Sequence, residues 1–491
     1  MSSTVKAKHE FKWVLMSQVL SQFLGMVTFI VFARFLSAID MGLIAFSYVL
    51  MFFFFTFLGG AVKEPIIQAT EVDQAALSTM FWMSLAASST TMIILFLFGP
   101  SLATVLGAPL AGPFIAVLCL KFPMDAVCNI CMAILARKLD LRKSSTNAAV
   151  SSAFGAICGI VAALCHLGIW SAAIQQLGTA VVATIMFVAV TRWLPSFTFS
   201  WTKVKPLVDY GKSVAGWQIV EFLSRQGDRA LIGILSGPTI LGLYSVGRRI
   251  NDVTTSVSIG ALSTVLFPLF SGLKNDKDKL RRTFESATLL LTFWSIPISA
   301  GMVFLAHLIV PVVLGHRWMP AVPIVQAFSL LGFIQAVGYL QTSIIRSQGH
   351  PDWWFKYMLF GMVFGFAVVG VAAQFGMTVL AFAIVARIYA QWPLTINKTA
   401  RLLDIKISHY YKIFLQPMIS AGLMVVSLYI LEMILSPYVT WKPLMLATLI
   451  AAGGLFYLGY SLLIFRQKAV WSIVTTYNVM LKRKSAAGSL A

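Results

Sequence analysis

The sequence is short of acid. Seventeen Asp and Glu residues stand against 37 Lys and Arg in 491 positions, and charged residues of both signs make up only 11% of the chain. An ordinary soluble domain carries about a quarter charged residues, so that class is excluded. Cysteine is scarce as well. All five, Cys119, Cys128, Cys131, Cys158 and Cys165, fall within long apolar runs, which excludes a disulfide framework. The Cys128-x-x-Cys131 pair and nearby His166 read as helix-packing residues, because no second ligand pair stands at zinc spacing. Long polar stretches are also missing, so there is no room for a soluble catalytic or duplex-binding domain, and no nucleic-acid partner is expected. Gly211-Lys212-Ser213 lacks the upstream glycine of a phosphate loop, Pro206 standing there instead, and no strand precedes it. No cofactor, metal or nucleotide motor is expected.

What fills the chain is apolar: 59% hydrophobic residues and a mean hydropathy of +0.85. A helix needs about 20 such residues to cross the hydrocarbon core, and fourteen stretches qualify. The fold class expected is an all-α polytopic membrane protein. The first stretch is too long for a signal peptide and lacks a cleavage site before Arg34, so it reads as a retained helix. With the N-terminus inside, twenty-eight of the Lys and Arg residues fall in inner segments and three in outer ones. That asymmetry predicts both termini on the cytoplasmic side of a bacterial inner membrane. The net charge of +20 then reads as topology and as contact with anionic membrane lipids.

The expected organisation is an N-lobe of six helices over 1–190, a cytoplasmic linker over 191–212 and a C-lobe of six helices over 213–400. Helices 13 and 14 and a basic amphipathic tail occupy 401–491. The lobes echo one another. "RFLSAIDMGLIAFSYVL" (Arg34–Leu50) and "GILSGPTILGLYSVGRRI" (Gly233–Ile250) both carry Leu-Ser, a short turn, Gly-Leu and an aromatic-containing helix start, and the helices that follow end near Pro65 and Pro268. This predicts two lobes related by a pseudo-two-fold axis along the membrane normal.

Ionisable groups inside a bilayer cost about 2.5–3.5 kcal/mol each even on lenient scales, so they mark protein interiors or wet cavities. Glu221, Arg225, Asp228 and Arg229 share one face of helix 7, and Arg248 with Asp252 repeats the spacing in helix 8 beside Arg249. Lys121 and Asp125 in helix 4 and Arg387 in helix 12 complete a set expected to line a central cavity, with Arg34 at the outer interface. The carboxylates Asp125, Glu221, Asp228 and Asp252 are candidates for ion pairs or for a coupling site. The basic residues Arg225, Arg229, Arg248, Arg249, Lys121, Arg387 and Arg34 are candidates for binding an anion such as a diphosphate or an acidic sugar.

At these residues the chain resembles a family. "FARFLSAIDMGLIAFSY", "GDRALIGILSGPTILGLYSVGRRI", "TVLFPLFSGL", "VVLGHRWMPAVPIVQAFSLLG" and "RSQGHPDWWFKYMLF" resemble, in order, the motifs of bacterial polysaccharide flippases of the Wzx (PST) type. These belong to the multidrug/oligosaccharidyl-lipid/polysaccharide superfamily. The resemblance runs from helix 1 to about helix 11, and Ser37 and Asp40-Met41 depart from the commoner glycine-containing turn. It implies a transporter that turns an undecaprenyl-diphosphate-linked oligosaccharide from the cytoplasmic to the periplasmic leaflet by alternating access, for an exopolysaccharide of the succinoglycan kind. A polysaccharide polymerase and a chain-length regulator are the implied partners.

Two other classes fit less well. An ion-coupled drug or cation exporter on the same fold would place acids in its cavity, where this chain has an excess of bases. A membrane polymerase or glycosyltransferase would need more than Asp276-Lys277-Asp278, a D-x-D look-alike in a short basic loop that reads as a solvated charge run.

Overall fold

The computed structural model describes residues 3–69, 72–273 and 276–485, and every regular element among them is helical. The chain divides into two compact units, Met1–Gly242 and Leu243–Ala491.

The first unit holds α1 (Ser3–Phe35), α2 (Ala38–Gln68), α3 (Gln74–Val105), the short α4 (Gly112–Leu118), α5 (Lys121–Arg137), α6 (Leu141–Leu164), α7 (Trp170–Thr191) and the start of α8 (Trp201–Gly272). Three of the scarce acids stand where a helix begins. Ser37 and Asp40 form a capping box at α2, with Asp40 N–H donating to Ser37 Oγ at 3.1 Å and Ser37 N–H to Asp40 Oδ2 at 3.0 Å. Asp73 caps α3 by accepting from Ala76 N–H, and Asp140 caps α6 by accepting from Lys143 N–H. A carboxylate there satisfies an orphan donor and complements the positive end of the helix dipole.

The packing is membrane-like. Gly155 of α6 has no room for a Cβ against Thr179 and the Gln175 carbonyl of α7, so two backbones meet closely. Val62, Ile66, Phe81, Ile130, Ile134 and Val204 form an apolar cluster joining α2, α3, α5 and the start of α8. The fourth apolar stretch is broken: α4, with the turn before it, and α5 form a pair bent by 43°. All five cysteines are free, and Cys165 caps α6 instead of lying within it.

The second unit holds the rest of α8, then α9 (Lys277–Ile309), α10 (Val322–Ser329), α11 (Leu331–Ser347), α12 (Pro351–Ala372), α13 (Met377–Leu403), α14 (Ile407–Leu435) and α15 (Lys442–Ser485). The D-x-D look-alike has a structural job, since Asp276 accepts from Lys279 N–H and caps α9. Lys274 and Asn275 just before it lie outside the described residues. Two His–carboxylate pairs join α9 to α14. His409 Nε2 is 3.4 Å from Glu285, which also takes Arg281 Nε at 3.1 Å, and His307 Nε2 is 2.8 Å from Glu432. α15 kinks at Phe465 and continues as a helix to Ser485. This is the tail expected to be amphipathic, and most of its side chains, like that of Pro268, lie outside the described residues.

Among the described residues, twelve helices are long and apolar enough to cross a membrane, or thirteen with the bent pair. That count takes Gln218–Ser256 as one span, although α8 is interrupted at Gly237, where φ is 79° and ψ 174°. A Cβ on Gly233 would lie 3.1 Å from Leu241 Cδ2, eight positions on. In a straight helix that interval spans about 12 Å, so the chain doubles back at Gly237, a conformation open to glycine and strained for other residues. The expected break between helices 7 and 8 is therefore present. α8 also begins earlier than expected, residues 201–212 of the expected linker being its first turns.

Candidate functional site

In the first unit the charges of α8 lie against an aromatic run of α2. Arg225 Nε pairs with Glu221 Oε1 at 3.0 Å, as i, i+4 spacing predicts. Asp228 Oδ1 accepts from Arg229 N–H at 2.8 Å, and the Arg229 guanidinium donates to Gln226 Oε1 at 2.9 Å. Phe222, next to Glu221, meets Phe52 and Phe53 with ring centroids 6.1 and 5.2 Å away. Four residues before Phe222, Gln218 donates to Glu64 of α2 at 3.3 Å.

The same α2 run reaches the second charged pair. Phe54 packs edge-on to Phe122, and the Phe55 ring lies 5.0 Å from Lys121 Nζ. Lys121 holds both oxygens of Asp125 at 2.6 and 2.7 Å, with side chains only 28% and 15% exposed. A cation that faces an aromatic ring and grips both carboxylate oxygens is well compensated for leaving water. Around one turn of α2, Phe52 and Phe53 thus pack on α8 beside Glu221 while Phe54 and Phe55 pack on α5 at Lys121. Arg34 stands apart, exposed in the last turn of α1, where a cation complements the negative helix end.

In the second unit the balance differs. Arg248 Nε is 3.9 Å from Asp252 Oδ1, a loose pair, and its Nη1 donates to Tyr244 Oη at 3.3 Å. Arg249 is half-buried and has no ion-pair partner among the described residues. One turn on, Asn251 and Thr255 both donate to Gln335 Oε1, at 3.2 and 2.5 Å. Arg387 of α13 donates to the Gly361 carbonyl of α12, and a Cβ on Gly365 would stand 2.6 Å from its Nη1. The guanidinium therefore lies over a strip of α12 kept bare by two glycines one turn apart.

Some of this geometry is absent from the sequence reading. The Gly361-x-x-x-Gly365 spacing was a usable signal for close approach on α12, but it does not say that an arginine fills the space. The Phe52–Phe55 run, Glu64–Gln218 and the two α9–α14 His–Glu pairs carry no local signal. Chemically, the first unit answers Lys121 and Arg225 with carboxylates on their own helices. In the second unit Arg248 and Arg249 share a helix with Asp252, and Arg387 stands on α13 against a backbone carbonyl; guanidinium groups of this kind suit a phosphate or carboxylate ligand. Among the described residues no group of three or more His, Cys, Asp or Glu is placed to hold a metal.

Comparison with known proteins adds to this geometry. Residues 31–323, more than half of the chain, match the profile of a family described as "Polysaccharide biosynthesis protein". The chain is 27% identical over 333 residues to the succinoglycan biosynthesis transport protein ExoT of Rhizobium meliloti (strain 1021), covering 67% of each protein. It is 24% identical over 351 residues to the lipopolysaccharide biosynthesis protein WzxC of Escherichia coli (strain K12), covering 71% of each. Among solved structures, the lipid II flippase MurJ in an inward closed conformation superposes with a TM-score of 0.75 at 15% identity, covering 92% of this chain and 99% of that one. That likeness establishes the fold.

Proposed function

The chain belongs to the polysaccharide biosynthesis protein family, and on that premise we propose that it moves an undecaprenyl-diphosphate-linked oligosaccharide from the cytoplasmic to the periplasmic leaflet. It is a multi-pass protein of the bacterial inner membrane with the fold of a lipid flippase. In this reading both termini are cytoplasmic, the product feeds exopolysaccharide synthesis, and a polymerase and a chain-length regulator act downstream.

The observation that carries the reading is the cationic surplus of the second unit: Arg248 loosely paired, Arg249 with no ion-pair partner among the described residues, and Arg387 set on a backbone carbonyl. A planar guanidinium donates two parallel hydrogen bonds to a diphosphate, each charge-assisted bond contributing about 1.5–3 kcal/mol. Arg225, Arg229, Lys121 and Arg34 supply further positive charge, while Asp125, Glu221, Asp228 and Asp252 keep the path satisfied when it is empty. An inside-negative potential favours outward movement of the anion by about 2.3 kcal/mol per charge per 100 mV.

The test is a leaflet-resolved assay in liposomes with a labelled undecaprenyl-diphosphate oligosaccharide. Loss of one charge-assisted hydrogen bond predicts that Arg249→Ala slows flipping by about ten- to a hundredfold, with Arg248→Ala next and both variants still folded. Undiminished flipping in the double variant would return these arginines to a structural role. No movement by the wild type under an imposed potential and pH gradient would point to a different substrate.

A further inference from the structure

We propose that the segment joining α7 to α8 is a preformed anchor for an anionic lipid surface, a role separate from the substrate path. The segment is held rigidly by α3. Gln74 Nε2 donates to the Leu194 carbonyl at 2.8 Å and Gln74 Oε1 accepts from Trp193 Nε1 at 2.7 Å. Ser196 N–H donates to Ser78 Oγ at 3.0 Å, Trp82 Nε1 to the Ser196 carbonyl at 3.0 Å, and Ser200 N–H to Thr79 Oγ1 at 3.0 Å. Lys203 closes the strap on Asp73, the residue that caps α3. The Lys203 ammonium and the Ala76 N–H hold the Asp73 carboxyl below the usual carboxylate range.

Such a strap needs no large apolar side chains facing outward, yet it has four: Phe197 is 93% exposed, Leu194 72%, Phe199 66% and Trp201 48%. The Phe197 ring is also oriented, stacked on Trp82 at 5.1 Å and 22°. These side chains lie between the end of one candidate span at Thr191 and the start of the next at Gln218, which sets them at the level of a membrane surface. Exposed bases flank them: Arg192, Lys203, Lys205 and Lys212. Asp73 pairs with Lys203, and Asp209 with Lys212 and more weakly Lys205, so the four bases exceed the two acids and leave a net positive edge to meet external negative charge. An ordered apolar strip edged with bases at membrane level fits the boundary between acyl chains and anionic phospholipid headgroups, where aromatic rings sit well and each base contributes attraction.

The experiment places an environment-sensitive fluorophore at Phe197→Cys, in a Cys165→Ser background that removes the exposed native thiol, and reconstitutes the full chain in vesicles. One set is phosphatidylcholine alone, the other phosphatidylcholine with phosphatidylglycerol. The expected result is strong quenching by lipids spin-labelled near the headgroup and protection from aqueous iodide. Lipid quenching should be greater with phosphatidylglycerol, and that increment should disappear in Arg192→Gln with Lys205→Gln. The same label at Phe199→Cys gives an independent reading should the first variant fold poorly. Iodide quenching without lipid quenching at both positions would overturn the proposal, and quenching indifferent to phosphatidylglycerol would overturn its anionic part.

Discussion

The two copies of the internal repeat share a turn and differ in chemistry. Leu36-Ser37 answers Leu235-Ser236, and Gly42-Leu43 answers Gly242-Leu243. The turns touch: a Cβ on Gly42 would run into the Pro238 carbonyl, and one on Gly242 would run into the Ala38 carbonyl and stand 2.9 Å from Gly42 N. Each copy reverses the chain by its own means, the first with the Ser37–Asp40 capping box and the second with Gly237 at φ 79°. Beyond the turn they part. Where the second copy has Arg248, Arg249 and Asp252, the corresponding positions of the first are Tyr48, Val49 and Phe52. The sequence echo thus carries charges in one copy at the positions where the other has an aromatic and apolar run.

The sharpest way to break this comparison is to fill the shared contact. Gly42→Val and Gly242→Val should each destabilise by about 3 kcal/mol, at the upper end of overpacking costs, because backbone cannot retreat as a side chain can. The double variant should cost measurably less than the sum, since the residues share a contact. Thermal unfolding in detergent reads this, and two tolerated single variants would refute the close approach. Next comes Lys121→Met, which strands Asp125 in a partly buried site and should cost about 2–3 kcal/mol. Lys121→Met with Asp125→Leu should recover much of that loss, whereas Arg249→Ala should leave stability within about 0.5 kcal/mol and act on flipping alone. Equal destabilisation by Lys121→Met and Arg249→Ala would erase the contrast between the units.

The smallest expected effect concerns the strap that links the copies. The folded carboxyl of Asp73 is depressed, so its tie to Lys203 stabilises above the unfolded aspartate value of about 4 and is lost as pH falls through the lower folded value. Protection of the Ser196 and Ser200 amides, the intrinsic exchange rate relative to the observed rate at the same pH, should be high near neutrality and fall below about pH 4. In Asp73→Asn protection should be lower already at neutral pH, and wild-type protection that stays constant into acid would remove the tie from the account.

How much of this was legible follows from how local each feature is. Glu221–Arg225, Lys121–Asp125 and Arg248–Asp252 lie one helical turn apart, so spacing alone announced them. The break at Gly237 was legible because Ser-Gly-Pro can hardly continue a helix. The break between α4 and α5 had a signal too, Pro123 in the first turn of α5, although the apolar run continues through it. Whether Arg387 meets a carboxylate or a carbonyl depends on which helix lies beside α13, and His307–Glu432 spans 125 positions, beyond any periodicity. The candidate residues could be named from sequence, while their partners across helices required the fold.

That same locality bears on how the chain is made. Segments enter the bilayer in the order they leave the ribosome, and a bare charge is penalised at that moment, before later helices have arrived. Lys121, Arg225 and Arg248 each carry a counter-ion on their own helix. Arg387 finds its carbonyl on α12, which precedes it. Each of these cations therefore has its partner within its own segment or in one already synthesised, and none of them needs to wait for a helix still to come.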